Sequence, residues 1–355
     1  AQAVEMLQDL GQQEQWLIHP SEIDTTTSAV IGSGKCGTVY TGRFCKADVA
    51  IKASAQDDEA KDPWSAQTVL NEIRILRRVR HTNIALFHGA VIQEGTATLE
   101  ELNERGSRLL LVMERIQGVT LGTCVHKLKA YRAASPNAAI QISTMLQVMS
   151  ALIYLHTRRP RIVHADLKPE NIMVERFGDV LVPKLLDFGL SRIVTRNAKQ
   201  LGGTPAYVAP EIVVLNQAYK PNPSADVFSL GRVLFFVASG RKPYAGQSAR
   251  GMIDLLKRGK APPPLLWEPQ TALLVEHQAI IERCTSYVPE DRPAVVEVYD
   301  MVQETLFTIA ASGNNGGASD GEALGASGVP TPSSRTDNSP PRSAAPEPLS
   351  RANSE

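Results

Sequence analysis

The sequence predicts an α+β fold of two lobes, in which a small antiparallel β-rich lobe with one main helix precedes a larger helical lobe. The β-rich part is indicated by a glycine-rich stretch at residues 31–39, which leads into β-prone residues, a turn at Gly42 and a second apolar strand ending at Lys52. The helical part is indicated by two long apolar helical patterns, at residues 121–131 and 138–156. With 355 residues and 43% apolar content, the chain can bury one large core or two modest ones.

The charge is balanced, because 37 basic residues face 37 acidic ones. Such a chain has no overall field for nucleic acid, and we expect no nucleic-acid partner. The four cysteines form no CxxC pair and keep no zinc-ligand spacing with the seven histidines. The sequence shows no uninterrupted apolar run of the roughly 18 residues that a membrane span requires. We therefore expect no membrane span and a cytoplasmic protein, with a targeting segment ahead of Ala1 left open and the oligomeric state undetermined.

A group of polar residues suited to phosphate chemistry follows the second helical pattern. Residues 164–171 read His-Ala-Asp-Leu-Lys-Pro-Glu-Asn, and residues 186–189 read Leu-Asp-Phe-Gly. Four residues of these two stretches, two acids, one lysine and one amide, suit this chemistry: Asp166, Lys168, Asn171 and Asp187. Such a set can accept a hydroxyl proton, hold magnesium and neutralise a phosphoryl group.

The glycine-rich stretch at residues 31–39 allows close backbone approach to phosphates, because its three glycines lack a Cβ. A dinucleotide-binding fold uses the same spacing of glycines, but there a helix begins directly after them. Here a predicted β-hairpin follows instead. The dinucleotide-binding alternative is therefore disfavoured, and the hairpin resembles the loop that covers the nucleotide phosphates in protein kinases.

Glu72 lies within a predicted helical apolar stripe formed by Val69, Ile73, Leu76 and Val79. An acid on the inward face of a helix needs a cation. By resemblance to the same family, Lys52 at the end of its predicted strand is the expected partner.

Taken together, these motifs resemble the eukaryotic protein kinases over residues 25–308, in the same order along the chain. Residues 164–171 are similar to the catalytic loop, with Ala165 where the family usually has arginine. Residues 186–189 resemble the metal-binding motif. Residues 203–211, which read Gly-Thr-Pro-Ala-Tyr-Val-Ala-Pro-Glu, resemble the segment that docks protein substrates.

The resemblance implies ATP and Mg²⁺ as cofactors and a protein substrate with a serine or threonine acceptor. Asp166 would orient the substrate hydroxyl and Lys168 would contact the γ-phosphate. Asn171 and Asp187 would hold magnesium, and Lys52 would bind the α- and β-phosphates. The other expected nucleotide-site residues belong to the glycine loop, the adenine pocket, the helix that carries the partner of Lys52, and the hinge: Ile31, Gly32, Ser33, Gly34, Gly37, Val39, Ala50, Glu72, Met113, Glu114, Ile116 and Met173.

The combination of Lys168 and Thr204 resembles the serine/threonine class rather than the tyrosine class. The apolar cluster around Trp16 and the run at residues 81–91 are similar to the tyrosine-kinase-like group of serine/threonine kinases. Two further features resemble structural anchors of the family. Asp226 resembles the acid that holds the catalytic-loop backbone, and Arg292 resembles the arginine that pairs with Glu211.

The resemblance divides the chain into three parts. Residues 1–24 are an N-terminal extension that could dock on the first lobe, residues 25–308 the kinase domain, and residues 309–355 a tail. Within the domain, the N-lobe is expected at about 25–113, the hinge at 114–118 and the C-lobe at 119–308. The tail is rich in Gly, Ser, Pro and Ala, and we expect it to be disordered because it cannot bury enough apolar surface.

Ala165 also carries a prediction about regulation. In many protein kinases the arginine at this position binds a phosphate on the activation segment and orders that segment. Alanine has no donor. Phosphate on Ser191 or Thr195 would therefore have only weak local partners, and basal activity is predicted not to depend on it.

Two other function classes fit parts of the pattern. A pseudokinase would bind nucleotide and act as a scaffold, but retention of Lys52, Asp166, Asn171 and Asp187 weighs against it. A small-molecule phosphotransferase would share the catalytic acids, but the segment at residues 203–211 weighs against it. Neither the substrate nor the upstream regulator can be deduced from the sequence.

Overall fold

The computed structural model describes residues 2–34, 37–53, 64–92, 109–130, 136–178, 180–195, 198, 203–215, 220–244, 246–267 and 272–314. The predictions for residues 35–36, 93–108 and 315–355 lie outside these ranges.

The described residues of the first part of the chain form an antiparallel sheet with two helices. Its elements are α1 (Gln2–Gln13), a 3₁₀ turn (Pro20–Glu22), β1 (Ile23–Asp24), β2 (Val30–Gly34), β3 (Gly37–Phe44), β4 (Ala47–Ala53), α2 (Trp64–Leu76), β5 (Phe87–Ile92) and β6 (Leu109–Glu114). The strand order is β1-β3-β4-β6-β5, and β2 also pairs with β3. The predicted hairpin after the glycines is therefore present.

The predicted turn at Gly42 is wrong, because β3 continues through it to Phe44 and the chain turns at Cys45 and Lys46. These two residues have φ angles of 50° and 68°. A glycine occupies position 42 of the strand because a side chain there would meet a neighbouring strand. A Cβ there would lie 2.4 Å from Cδ1 of Ile51, so any other residue would force that buried side chain to shift.

The N-terminal extension covers the outer edge of β5. Ile18 N donates to Ala90 O and Ala90 N donates to Trp16 O, at 2.9 and 2.8 Å, and Trp16 is buried. Glu14 forms an ion pair with Arg77, just beyond the end of α2. The predicted docking of the extension on the first lobe is therefore confirmed, and it reaches the region of α2.

The second part of the chain is dominated by helices. Its helices are α3 (Leu121–Ala130), α4 (Pro136–Thr157), α5 (Pro210–Leu215), α6 (Pro223–Ser239), α7 (Ala249–Lys257), α8 (Ala272–Cys284) and α9 (Val295–Asn314). Short strands accompany them: β7 (Gly118–Thr120), β8 (Ile162–Val163), β9 (Ile172–Phe177), β10 (Val180–Leu185) and β11 (Arg192–Ile193), paired as β10-β9-β7 and β11-β8. The predicted two-lobed α+β fold is confirmed. The final helix runs to Asn314, so residues 309–314 of the predicted disordered tail are helical.

Within the described part of the chain, one helical segment, Ala139–Thr157, is long and apolar enough by length and composition to cross a membrane. The sequence analysis did not single it out, because polar residues interrupt its apolar positions. Met149, Leu152 and Leu155 on this helix are fully buried, and α4 packs against α6 and α9. Such packing is typical of the core helix of a helical lobe.

Candidate active site

The strand β4 carries Lys52 on the face opposite the sheet core. Val49, Ile51 and Ala53 are buried on one face, whereas Ala50 and Lys52 are half-buried on the other, as the two-residue period of a strand requires. Lys52 Nζ donates to Glu72 Oε1 and Oε2 at 3.0 and 2.8 Å. The predicted pair between these two residues is formed.

Lys52 also reaches the metal-binding motif, because its Nζ lies 2.9 Å from Asp187 Oδ1. Burial alone would lower the pKa of Lys52, but the carboxylates of Glu72 and Asp187 outweigh it and hold that pKa above its ordinary value. Glu72 is almost fully buried and also accepts from Phe188 N. Burial raises the pKa of Glu72, while Lys52 opposes the increase. Three elements thus meet around one cation, which stays charged at neutral pH.

The carboxylate of Asp166 is held by three side chains. Its Oδ1 accepts from Thr204 Oγ1 at 2.7 Å and from Thr204 N at 3.1 Å. Its Oδ2 accepts from Lys168 Nζ at 2.5 Å and from Asn171 Nδ2 at 3.0 Å. Lys168 Nζ also donates to Thr204 Oγ1 at 2.9 Å. The catalytic loop and the start of the segment at residues 203–211 are therefore joined through the acid.

Asp226, at the start of α6, fixes the backbone that presents Asp166. Its side chain is fully buried and accepts from His164 N and Ala165 N, both at 2.8 Å. His156 Nε2 lies 2.8 Å from Asp226 Oδ2. Burial favours a raised pKa, but the hydrogen bonds and the charges of His156 and His164 outweigh it and lower the pKa of Asp226. The role predicted for Asp226 matches these contacts.

The backbone on each side of the site adopts a left-handed conformation that non-glycine residues rarely occupy. Ala165 has φ 69° and Asp187 has φ 58°. Two contacts support these residues: His164 Nε2 lies 3.0 Å from Leu186 O, and the His164 ring packs edge-on against Phe188 at 5.1 Å. The catalytic loop and the metal-binding motif are therefore held against each other.

The predicted nucleotide-site residues lie on neighbouring strands. Gly32 pairs with Val39 and Gly34 with Gly37 in the β2–β3 hairpin, and Ser33 pairs with Thr38. Ala50 lies opposite Met113 in the β4–β6 ladder. Ile31 is 51% exposed on β2. Met173 is half-buried on β9. Their contacts with adenine and phosphates stay predictions.

Contacts in the hinge determine which backbone atom of Glu114 could bond to adenine. Glu114 N already donates to Leu86 O at 2.8 Å, so a backbone bond from Glu114 to adenine would use its carbonyl oxygen. The Glu114 side chain accepts from Leu86 N and pairs with Lys184 Nζ at 2.6 Å. Ile116, half-buried between β6 and β7, keeps its predicted place in the hinge.

The segment at residues 203–211 is anchored at its C-terminal end by the predicted ion pair between Glu211 and Arg292. Arg292 Nη1 and Nη2 donate to Glu211 Oε1 and Oε2 at 2.7 and 2.9 Å. Both residues are buried, and Arg292 also donates to Ser224 O and Ser286 O. A bidentate pair of this kind holds the end of the segment against α6.

The sequence predicts Ser191 as a possible phosphate acceptor, and the structure shows that this prediction is wrong. Ser191 is fully buried, and its Oγ donates to His164 O at 2.8 Å. A hydroxyl that is buried and already bonded in this way is not presented to another kinase. Thr195, which is exposed, is the acceptor that remains of the two.

The sequence analysis missed Asn71, the neighbour of Glu72 on α2. Its Nδ2 donates to Ser191 O at 2.7 Å, so that α2, the metal-binding motif and the catalytic loop meet at Ser191. Asn71→Ala is expected to lower peptide phosphorylation by about three- to tenfold, because one hydrogen bond contributes about 1 kcal/mol. The measurement is kcat and KM for ATP, with Arg74→Ala on the exposed side of α2 as the matched control.

A positioning role for Asn71 requires that it act through Glu72. In a Glu72→Ala background, Asn71→Ala should therefore cause little further loss of peptide phosphorylation, since both substitutions act through the same side chain and their effects should not add. Full additivity, or an Asn71→Ala variant as active as the Arg74→Ala control, would show that the hydrogen bond has no such role.

Comparison with known proteins agrees with this geometry. The family described as "Protein kinase domain" matches residues 25–303. Serine/threonine-protein kinase CTR1 of Arabidopsis thaliana is 30% identical over 293 residues, which cover 80% of this chain and 32% of that protein. Probable serine/threonine-protein kinase drkD of Dictyostelium discoideum is 28% identical over 81% of this chain and 20% of its own length. Mitogen-activated protein kinase kinase kinase 7 of Homo sapiens is 29% identical over 78% of this chain and 41% of its own length.

The chain therefore spans about a fifth to two fifths of the length of these relatives. The family match covers the glycine loop, the Lys52 and Glu72 pair, the catalytic loop and the segment that ends at Glu211. The resemblance inferred from the motifs is confirmed, and the chain belongs to the protein kinase family.

Proposed function

We propose that the chain transfers the γ-phosphate of ATP to serine or threonine side chains of proteins, in the presence of magnesium. The observation that supports this function most strongly is the set of contacts around Asp166. Its carboxylate is held by Lys168, Asn171 and Thr204, while Lys52 is held by Glu72 and Asp187. Both arrangements are formed by the residues that phosphoryl transfer to a hydroxyl requires.

The residues around Asp187 fit a magnesium ion. Mg²⁺ prefers oxygen ligands and is commonly held by one or two side chains together with substrate phosphates. Asn171 uses its amide nitrogen for both of its hydrogen bonds to Asp166, which leaves the amide oxygen as its metal-binding atom. No cluster of three or more His, Cys, Asp or Glu ligands occurs among the described residues, as expected for an ion completed by ATP. Asn171 and Asp187 would hold the ion, whose positive charge would neutralise the phosphates when bound.

The chain's own residues have separate tasks in this proposal. Asp166 accepts the hydrogen bond of the substrate hydroxyl and orients it, and the Thr204 contact fixes the carboxylate. Lys168 places a positive charge beside the acid, where the transferred phosphoryl group would lie. Lys52, charged because of its two carboxylate partners, binds the α- and β-phosphates.

The direct test is incubation of the purified chain with labelled ATP, magnesium and a degenerate array of serine, threonine and tyrosine peptides. We expect label on serine and threonine peptides and none on tyrosine peptides. Asp300→Asn, an acid-to-amide change at an exposed position on α9, serves as the matched control beside Asp166→Asn. Nucleotide binding without labelled peptide would contradict the proposal and favour a nucleotide-binding scaffold.

Basal activity is expected to be independent of phosphate on the activation segment. Ala165 offers no side-chain donor, and exposed ion pairs contribute only about 0–1 kcal/mol. A shift of the segment from mostly inactive to mostly active needs about 5.5 kcal/mol. Phosphatase-treated parent and Thr195→Ala should therefore phosphorylate peptides within about fivefold of the untreated parent, since 1 kcal/mol corresponds to about fivefold.

The corresponding test at Ser191 is not informative, because Ser191→Ala would remove the hydrogen bond to His164. Thr195→Ser keeps a hydroxyl and serves as the control. A loss of about tenfold or more on phosphatase treatment, equivalent to about 1.4 kcal/mol, would contradict the prediction and require a basic partner for the phosphate.

A further inference from the structure

Unpartnered buried polar atoms concentrate at one place in the helical lobe. Among the described residues, five buried side-chain nitrogen or oxygen atoms have no hydrogen-bond partner. Three of them belong to two residues in contact, Nε and Nη1 of Arg232 and the hydroxyl of Tyr244. Native proteins leave few such atoms unpaired, and each one calls for an explanation.

Arg232 is a buried cation held by aromatic rings. It lies on α6 with 2% of its surface exposed, and its Cζ is 3.9 Å from the centroid of the Tyr244 ring and 4.8 Å from that of Phe228. Cation–π contacts hold the guanidinium in place, but they satisfy none of its N–H groups. Burial lowers the pKa of Arg232 to about 9, so the group is still charged at neutral pH.

Arg232 has no acidic partner in the described part of the chain. Arg292, the neighbouring arginine across Phe228, has Glu211. A buried charge without a partner is strongly destabilising relative to the paired state. Water could satisfy the N–H groups, but it would not supply the missing negative charge.

The surrounding sequence is basic. Residues 227–253 contain four basic residues and no acid. Arg232 is one of them, and the exposed residues Arg241, Lys242 and Arg250 are the others. A local excess of one sign of charge attracts ligands of the opposite sign, and here the ligand must be an anion.

The site lies beside the segment predicted to dock substrates. Ser229 Oγ, on the same helix, donates to Tyr207 O at 2.9 Å. Burial raises the pKa of Tyr207, with Glu170 adding to the increase and Arg232 opposing it. The Tyr207 hydroxyl therefore experiences the charges of both Glu170 and Arg232. A protein substrate on residues 203–211 would pass within reach of this basic region.

We propose that Arg232 and the Tyr244 hydroxyl bind an oxyanion on the protein substrate, either the carboxylate of an acidic side chain or the phosphate of a phosphorylated one. Tyr244 is half-buried in the connection between α6 and α7. The proposal rests on the proposed function, since it specifies which protein substrates the site prefers. It predicts selection for acidic or phosphorylated substrates.

The test uses serine-acceptor peptides in which one position at a time carries glutamate, phosphoserine or glutamine. For at least one position, the parent should show kcat/KM about tenfold or more higher with an oxyanion than with glutamine, because a charged hydrogen bond contributes about 1.5–3 kcal/mol. The glutamate and phosphoserine peptides distinguish the two sources of the oxyanion. A third arm adds inorganic phosphate, which should compete with the preferred peptide.

Arg232→Met should remove this preference while the glutamine peptide is phosphorylated at the parent rate. Arg258→Met, the same change at an exposed position at the end of α7, is the matched control and should keep the preference. Tyr244→Phe retains the ring and should weaken the preference, which keeps the test valid if Arg232→Met fails to fold. The melting temperature of Arg232→Met should equal or exceed that of the parent, because the unpaired buried charge is gone.

The outcomes separate the two proposals. If no peptide is phosphorylated, the proposed function fails. If the glutamine, glutamate and phosphoserine peptides are used equally well at every position, or if Arg232→Met and Tyr244→Phe both keep the parent's preference, the oxyanion site is overturned while the kinase function stands.

Discussion

Asp166→Asn is expected to reduce phosphoryl transfer by about 10²- to 10⁴-fold, the usual contribution of a positioned acid or base. The amide can still accept from Thr204 or Lys168, so the loop should keep its place. It cannot accept a proton from the substrate hydroxyl. Nucleotide affinity should stay unchanged, since Lys52 and its partners are not altered. The measurements are kcat with a serine peptide and the dissociation constant for ATP.

Asp300→Asn is the control for Asp166→Asn, because it makes the same chemical change on the exposed side of α9. It should leave both measured values at those of the parent. Transfer by Asp166→Asn at the parent rate would mean that the role assigned to this acid is wrong.

Asp226→Ala is expected to lower the free energy of unfolding by about 2–6 kcal/mol, because it strands the buried amides of His164 and Ala165 at about 1–3 kcal/mol each. For a domain of this size the melting temperature should fall by about 5–20 °C. Asp226→Asn keeps one acceptor oxygen and should lie between the alanine variant and the parent. Thermal denaturation of the three proteins measures the effect, and a shift of less than about 2 °C for Asp226→Ala would contradict it.

The same carboxylate predicts a dependence on pH. Its pKa in the folded protein lies below the ordinary value of 3.8, so near pH 4 the folded state binds fewer protons than the unfolded state. The stabilisation is therefore complete above the unfolded-state pKa and is lost as pH falls through the folded-state pKa. Stability measured from pH 6 downward should decline less steeply in Asp226→Asn than in the parent.

Local periodicity predicted the parts of the site that depend on the faces of single elements. The apolar stripe around Glu72 placed that acid inward, and the family resemblance identified Lys52 as its partner, as the ion pair shows. Gly42 was misassigned because a glycine in a strand has the same sequence signal as one in a turn. Its role depends on Ile51, a residue on the adjacent strand.

Residues whose function depends on distant partners were missed. Asn71 bonds to the carbonyl of Ser191, 120 positions away, and no local pattern marks either residue for that contact. In the sequence, Ser191 has the pattern of an activation-segment hydroxyl. Only its bond to His164 O shows that the hydroxyl is held inside the fold. Arg232 lies within an apolar helical run, in which an arginine is ordinarily expected on the exposed face. Only packing shows it to be buried beside Tyr244.

The central claim is that this chain transfers phosphate to protein hydroxyls from a site that is assembled without activation-segment phosphate. It is tested most directly by the time course of labelled phosphate transfer from ATP to a serine peptide by phosphatase-treated chain, with magnesium or with EDTA. We predict repeated turnover with magnesium and none with EDTA, at a rate matching the untreated chain. Binding of ATP without any magnesium-dependent turnover would contradict the claim.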